Sequence, residues 1–343
     1  MKVLYFILSI SFAALFLVNF AWIISNIYMF LVVGIDSVLT GQTLIENIYY
    51  SEFLRWIILA DIVWLITLLG YALKRKSYKT DSNLHYLQNS PIKERKICVI
   101  MPAFNEELSI KQVVEDFQGQ NFVKHVIVID NKSTDDTVKI ATRCGAKVIQ
   151  KSENKGITHS VFVGLKKSLE SDCNIISISE SDGTHNGYDL ERMVKYLDNC
   201  DVVVGTRQIQ VLCEKENQNG ILHVWGNKFL AKLVQLKYFN LRYFGIIELS
   251  DVGCLYRCIR KEALERIINE IENVTNKQKL SEKQSKFSPI GLLCTLISIE
   301  NNLKIIELPV TFKQRIGYSK SQSNKKGKAI LYGLRFIWLI LTK

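Results

Sequence analysis

The sequence predicts an α/β protein, a mainly parallel, doubly wound sheet preceded by an α-helical membrane hairpin. Three observations carry that reading. No charged side chain occurs from Val3 to Ile35. A second apolar stretch, Trp56 to Leu73, runs straight into Lys74, Arg75 and Lys76. From Lys96 onward, short apolar runs alternate with amphipathic segments.

The first run exceeds the roughly 20 residues a helix needs to cross a bilayer. It is also longer than the apolar region of about 7 to 15 residues in a signal peptide, and no small-residue cleavage site follows it. The expectation is a retained helix over about residues 3–34 and a second over about 54–73. Basic residues beside a membrane helix mark the cytoplasmic side. Lys2 and everything beyond Leu73 are therefore expected in the cytoplasm, with the loop carrying Asp36, Glu46 and Glu52 outside. Asp61, within two turns of the helix end, is expected to find a polar partner rather than to act in function. Residues 1–76 thus read as a membrane region and 77–95 as a linker.

Residues 96–326 read as one catalytic domain. The strand candidates are KICVIMPA, HVIVID, AKVIQ, NIISIS and DVVVG, with helical stretches following Glu106, Thr134, Gly156 and Tyr188. Strands alternating with helices imply crossover connections and a mainly parallel sheet, in which ligands gather at the carboxyl ends of the strands. There, after the fourth strand, stand Glu180 and Asp182 in ISESDGTH. Two carboxylates so close repel each other and usually share a cation, and their oxygens suit Mg²⁺ or Mn²⁺. Such a cation would bridge phosphates and neutralise a departing diphosphate. MPAFNEE follows the first strand and VIDNKSTDDT the second. Asp130 can accept hydrogen bonds from a ribose or a base edge, while Ser133 and Asp135 read as a helix cap. SENKGITHSVFVGL places Gly156 at the start of a third helix.

In this order the motifs resemble the family 2 glycosyltransferases with a GT-A, Rossmann-like fold, and within them the dolichyl-phosphate mannose and glucose synthase group. The resemblance runs from about Lys96 to Lys320 and includes VVVGTR, GNKFLAKL from Gly226, SDVGCLYRCIRKEAL from Ser250 and PVTFKQRIGYSK from Pro309. It implies nucleotide-sugar contacts from Pro102, Asn105, Glu106, Asp130, Asn154 and Gly156, and a metal site at Glu180 and Asp182. Glu180 departs from the family's aspartate, and Ser160 stands where a small alanine is usual. The hairpin here precedes the catalytic domain, whereas many relatives carry membrane helices after it.

The resemblance implies a UDP- or GDP-sugar donor and a polyprenyl (dolichyl or undecaprenyl) phosphate acceptor. A lipid phosphate arrives ionised and needs positioning and charge balance rather than a strong base. The cations expected to supply these are Arg207 and Arg257, with Arg315 and Lys320 closing over the diphosphate. A hydroxyl acceptor on a glycan would instead require a carboxylate base, for which Asp251 is the candidate. A nucleotidyltransferase would be expected to show a Gly-rich phosphate loop after the first strand, where this chain has the acidic MPAFNEE.

The charge surplus is 44 Lys and Arg against 33 Asp and Glu, a net +11. Six of the basic residues fall between Lys313 and Lys328 with no acid among them. That run leads into AILYGLRFIWLILTK, and residues 327–343 read as an interfacial helix facing anionic headgroups. No nucleic-acid-binding motif accompanies the basic run, so nucleic acid is not the expected partner. The eight cysteines are scattered without a CxxC pair, which predicts reduced core residues and no metal site built on sulfur.

Overall fold

The computed structural model describes residues 2–40, 52–74, 89–207, 212–214, 220–239, 247–277, 288–318 and 326–343. They form two compact units.

The first unit comprises Met1–Tyr78, Gln235–Ile247 and Ile337–Lys343. Helix α1 (Lys2–Thr40) and helix α2 (Glu52–Lys74) pack side by side. Tyr5 meets Tyr71 at 5.7 Å between ring centroids and Phe12 meets Trp64 at 6.3 Å, so rising numbers on one helix meet falling numbers on the other and the pair is antiparallel. A small interior forms from Leu8, Tyr71 and Ile340, and the Tyr71 hydroxyl donates to the Lys237 carbonyl at 2.5 Å. Ile7, Leu17, Phe20, Ile24, Ile58, Leu59, Ile62 and Ile66 remain exposed. Only 18% and 11% of the two apolar spans are buried, whereas the core helix of a soluble domain would be covered. The hairpin is thus two candidate membrane spans with apolar side chains facing outward. Asp61 is exposed on α2 and has no hydrogen bond or ion pair among the described residues, contrary to the polar partner expected for it.

The second unit, Lys79–Val234 with Glu248–Phe336, is the α/β domain. Its strands are β1 (Ile97–Ala103), β2 (Val123–Asp130), β3 (Lys147–Gln150), β4 (Ile175–Ile178), β5 (Val202–Thr206), β6 (Arg257–Arg260) and β7 (Ile305–Pro309). They run β3-β2-β1-β4-β6-β5-β7, all parallel except β6, which is antiparallel to both neighbours. Between them lie α3 (Ile110–Gln118), α4 (Thr137–Arg143), α5 (Gly156–Leu169), α6 (Tyr188–Tyr196), α7 (Ile221–Lys237), α8 (Lys261–Lys277) and α9 (Ile290–Glu300), and α10 (Lys326–Thr342) follows β7.

The strands explain themselves by burial. β1 is buried at every position, as a central parallel strand covered on both faces must be. Its side chains alternate: Val99 and Met101 enter one core layer with Val114 and Phe117 of α3, while Cys98 and Ile100 enter the other with Val161 and Leu165 of α5. Buried Ile110, Val113, Val114 and Phe117 make the i, i+3, i+4, i+7 stripe that seats α3. A Cβ on Gly164 would stand 2.2 Å from Ile100, so this glycine lets α5 lie close on β1. The chain moves outward from β1 to β3 and then returns to β4 on the other side of β1. That reversal between β1 and β4 opens a crevice at the carboxyl ends.

Two strands lie beyond the five expected. β6 carries only Cys258 and Ile259 between two arginines, and β7 is half-buried along its length. Neither offers a continuous apolar run.

Candidate active site

The antiparallel β6 brings its start to the same edge as the carboxyl ends of its neighbours, so residues from seven loops converge there. β1 ends in Pro102 and Ala103. The Ser181 hydroxyl donates to the Pro102 carbonyl at 2.8 Å and the Ser109 hydroxyl to the Ser181 carbonyl at 2.8 Å, which fixes the acidic loop after β4 against β1. Gly183 in that loop has φ +82°, and a Cβ there would stand 2.7 Å from Ile316. The Lys313 amide donates to the Thr184 carbonyl at 2.8 Å and the Ile316 amide to the Asp182 carbonyl at 2.9 Å. The segment after β7 is thereby zipped along the acidic loop.

Glu180 and Asp182 converge on one hydroxyl. Thr184 Oγ1 lies 2.6 Å from Asp182 Oδ1 and 3.1 Å from Glu180 Oε2, its single proton shared between them. Burial and the neighbouring Asp182 push the Glu180 carboxyl up to about 7. Two acids thus meet where negative charge is in excess. Arg315 counters part of it, donating to Asp182 Oδ2 at 2.5 Å and also to Glu106. Beside them His185 is buried between Tyr256 and Phe312, ring centroids 5.0 and 5.7 Å away. Burial, then the charge of Arg207, holds it down to about 4, so it is neutral. Neither ring nitrogen makes a sound hydrogen bond, and Nε2 is 4.0 Å from Glu180. This donor set of two carboxylates and a hydroxyl fits a hard, oxygen-preferring divalent cation such as Mg²⁺ or Mn²⁺.

Arg207 and Asp251 form a buried pair. Arg207 Nε donates to Asp251 Oδ2 at 2.7 Å and Nη2 to Oδ1 at 3.0 Å, a two-pronged contact reinforced by the Arg207 amide at 3.2 Å. Burial pushes the Asp251 carboxyl up, but the charge and hydrogen bonds of Arg207 outweigh it and hold it below its ordinary value. Glu307 on β7 accepts the amides of Ser250 and Asp251 at 2.9 and 3.0 Å, positioning the loop. The Arg207 guanidinium also lies over the Phe312 ring at 5.3 Å.

A second cluster occupies the ends of β2 and β3. Asp130, buried, accepts the Ser133 amide at 3.2 Å. Asn105, in the left-handed region at φ 55°, donates its amide to Ser133 Oγ at 2.9 Å and accepts the Thr134 amide at 2.8 Å. The N-cap position of α4 falls to Asp136, which makes no side-chain cap bond; Asp135 accepts the Thr137 amide at 3.1 Å from one residue outside it, and Ser133 serves Asn105 instead. Asn154 Oδ1 accepts from Asn131 Nδ2 at 2.7 Å and from the Gly156 amide at 3.0 Å. Lys151 donates to Asn131 Oδ1 at 2.5 Å and to Ser160 Oγ at 3.1 Å. Burial, then Lys155, lowers its ammonium to about 8.

The structure therefore gathers Glu106, Glu180, Asp182 and Arg315 in one group, Arg207 and Asp251 beside it, and Pro102, Asn105, Asp130, Asn154 and Gly156 along the same edge. Arg257 does not join them. Its guanidinium is buried on the α9 face of the sheet, donating to the Cys254 carbonyl at 2.7 Å and lying 3.4 Å from Thr295. These contacts hold Arg257 at the entry of β6, apart from the acidic group. Lys320 lies outside the described residues. Lys151, Thr184, His185 and Glu307 were not anticipated. Thr184 and His185 stand within the acidic motif, whereas Lys151 and Glu307 gave no sequence signal beyond their position.

Residues 98–268 match the family model described as Glycosyl transferase family 2. The chain is 23% identical over 246 residues to the polyprenol monophosphomannose synthase of Mycolicibacterium smegmatis, covering 69% of this chain and 84% of that protein. It is 22% identical over 255 residues to the undecaprenyl-phosphate mannosyltransferase of Micrococcus luteus, covering 71% and 96%. Among solved structures, glucosyl-3-phosphoglycerate synthase of Mycobacterium tuberculosis with Mn²⁺, UDP and glucosyl-3-phosphoglycerate aligns with a TM-score of 0.47 at 16% identity, covering 77% of this chain and 85% of that one.

Proposed function

We propose that this chain, which belongs to glycosyl transferase family 2, moves a sugar from a nucleotide-sugar donor to the phosphate of a polyprenyl lipid at a membrane surface. The relatives named for polyprenol and undecaprenyl phosphate support the acceptor class. The observation that carries the choice of phosphate over hydroxyl is the Arg207–Asp251 pair. A carboxylate held below its ordinary pKa and gripped at both oxygens is a poor proton acceptor. An acceptor that arrives already ionised has no need of it.

The residues then divide the work. Asp182 and Glu180 would hold Mg²⁺ or Mn²⁺, which when bound offsets the charge of the departing nucleoside diphosphate. Arg315, paired with Asp182 and Glu106, is the cation best placed to turn toward that diphosphate. Arg207, paired with Asp251, orients the acceptor phosphate. Asp130, Asn131 and Lys151 line the place for the nucleoside. Inversion at the sugar carbon follows if the acceptor oxygen displaces the diphosphate directly. The outward apolar hairpin supports an integral membrane protein, and Lys74, Arg75 and Lys76 support a cytoplasmic catalytic unit.

Mutants of the Arg207–Asp251 pair are poor probes of the acceptor, because removing one partner of a buried ion pair costs about 3–5 kcal/mol in folding alone. Acceptors are the better variable. Full-length protein with Mg²⁺ and donor should glycosylate polyprenyl phosphate and leave the matching polyprenol untouched. Equal transfer to the polyprenol would reject the phosphate reading.

A further inference from the structure

A second group of metal-ligating side chains lies at the opposite, amino edge of the same sheet. His125 Nε2, an Asp172 carboxylate oxygen and Cys173 Sγ all fall within 4.8 Å of one another, and His125 Nε2 is 3.3 Å from Asp172 Oδ1. A second thiol stands behind them: Cys98 is paired in register with His125 across β1 and β2 and shares the buried layer of Cys173. His125 and Asp172 are exposed while both sulfurs are buried.

We propose that His125, Asp172 and Cys173 form a binding site for a thiolate-preferring divalent cation of the Zn²⁺ class, separate from the catalytic carboxylates. Bonds of about 2.0–2.3 Å in a tetrahedral site set neighbouring donors about 3.5 Å apart. Rotation of the two exposed side chains closes the remaining ångström. Lys96 approaches the other side of Asp172 at 3.9 Å, an exposed pair of little strength that a cation displaces readily. Ligand chemistry keeps the two sites apart: sulfur and imidazole select Zn²⁺, whereas the carboxylates and hydroxyl at Asp182 select Mg²⁺ or Mn²⁺. The absence of a CxxC spacing hid the site from the sequence, because its ligands come from β2 and the turn before β4, with Cys98 of β1 behind them. A cation there ties β2 and that turn together at the edge remote from catalysis.

The test uses reduced, metal-stripped, full-length protein in detergent, with excess Mg²⁺ present, titrated with Co²⁺ while thiolate-to-cobalt charge-transfer absorption is followed. Wild type should develop the band and lose it to one equivalent of Zn²⁺. His125→Ala, a surface change that leaves the core intact, should weaken Co²⁺ binding by at least about tenfold, and Cys173→Ser should lose the band. Asp182→Asn should leave it unaltered. No sulfur-derived band at saturating Co²⁺, or a band equally strong in His125→Ala, overturns the proposal. So does a Cys98–Cys173 disulfide whose reduction is followed by no metal uptake.

Discussion

At the scale of single residues, Asp182 carries three relationships at once: it shares Thr184 with Glu180, pairs with Arg315, and accepts the Ile316 amide through its backbone. Asp182→Asn keeps the shape and the Thr184 contact while removing the charge. Sugar transfer should fall by at least about 10²-fold, with the circular dichroism spectrum retained. Chelation of divalent metal should abolish transfer by the wild type, and full activity in excess chelator would contradict the assignment. Lys151 makes a pH-dependent prediction. Because its ammonium is lowered to about 8, the cation is present below that pH and lost as pH rises through it. The donor KM should therefore rise above about pH 8 in the wild type and lose that rise in Lys151→Gln, measured as initial rates over a donor series. The acids Glu180 and Asp182 were legible because they stand together at a predicted strand end. What binds them was less so. Arg315 lies 133 residues along the chain from Asp182 and Asp251 lies 44 from Arg207, distances over which only the sheet order makes neighbours.

At the scale of elements, the loop after β4 and the segment after β7 act as one piece, joined by two backbone hydrogen bonds and by Gly183 against Ile316. Gly183→Ala sets a side chain at φ +82°, a conformation that costs an L-residue roughly 1–2 kcal/mol, and crowds Ile316. Transfer should drop by at least about tenfold while the thermal midpoint moves only a few degrees; an unchanged rate would show that the two segments need not register. The five parallel strands were readable because buried parallel strands are written as unbroken apolar runs, as in ICVIMPA. β6 and β7 escaped for the opposite reason. RCIR carries charge at both ends, and IIELP turns Glu307 toward the Ser250–Asp251 amides, so its polar residue looked like a loop. Arg257 opens β6, and the alternation of that strand sends its side chain to the face of Thr295, a placement that depends on recognising the strand.

At the scale of the whole molecule, a sheet with one catalytic edge is joined in sequence to a hairpin whose apolar side chains point outward. The expected topology has both hairpin ends in the cytoplasm. In intact cells, an impermeant thiol reagent should label Gln42→Cys and spare Asn83→Cys, above the background of the native cysteines; the reverse pattern would invert the chain and remove a cytosolic donor site. The hairpin, the α/β domain and the acidic motif were all legible from composition and periodicity, while the charge pairing that distinguishes a phosphate acceptor from a hydroxyl required the assembled site. Transfer to a lipid phosphate is read directly by mass spectrometry of the lipid extract after full-length protein is incubated with Mg²⁺, polyprenyl phosphate and a panel of UDP- and GDP-sugars. The predicted result is a polyprenyl phosphate heavier by one glycosyl residue, linked through the phosphate and formed with an equal amount of nucleoside diphosphate. Nucleoside diphosphate released with the lipid mass unchanged, or a sugar found on a hydroxyl acceptor instead, would contradict it.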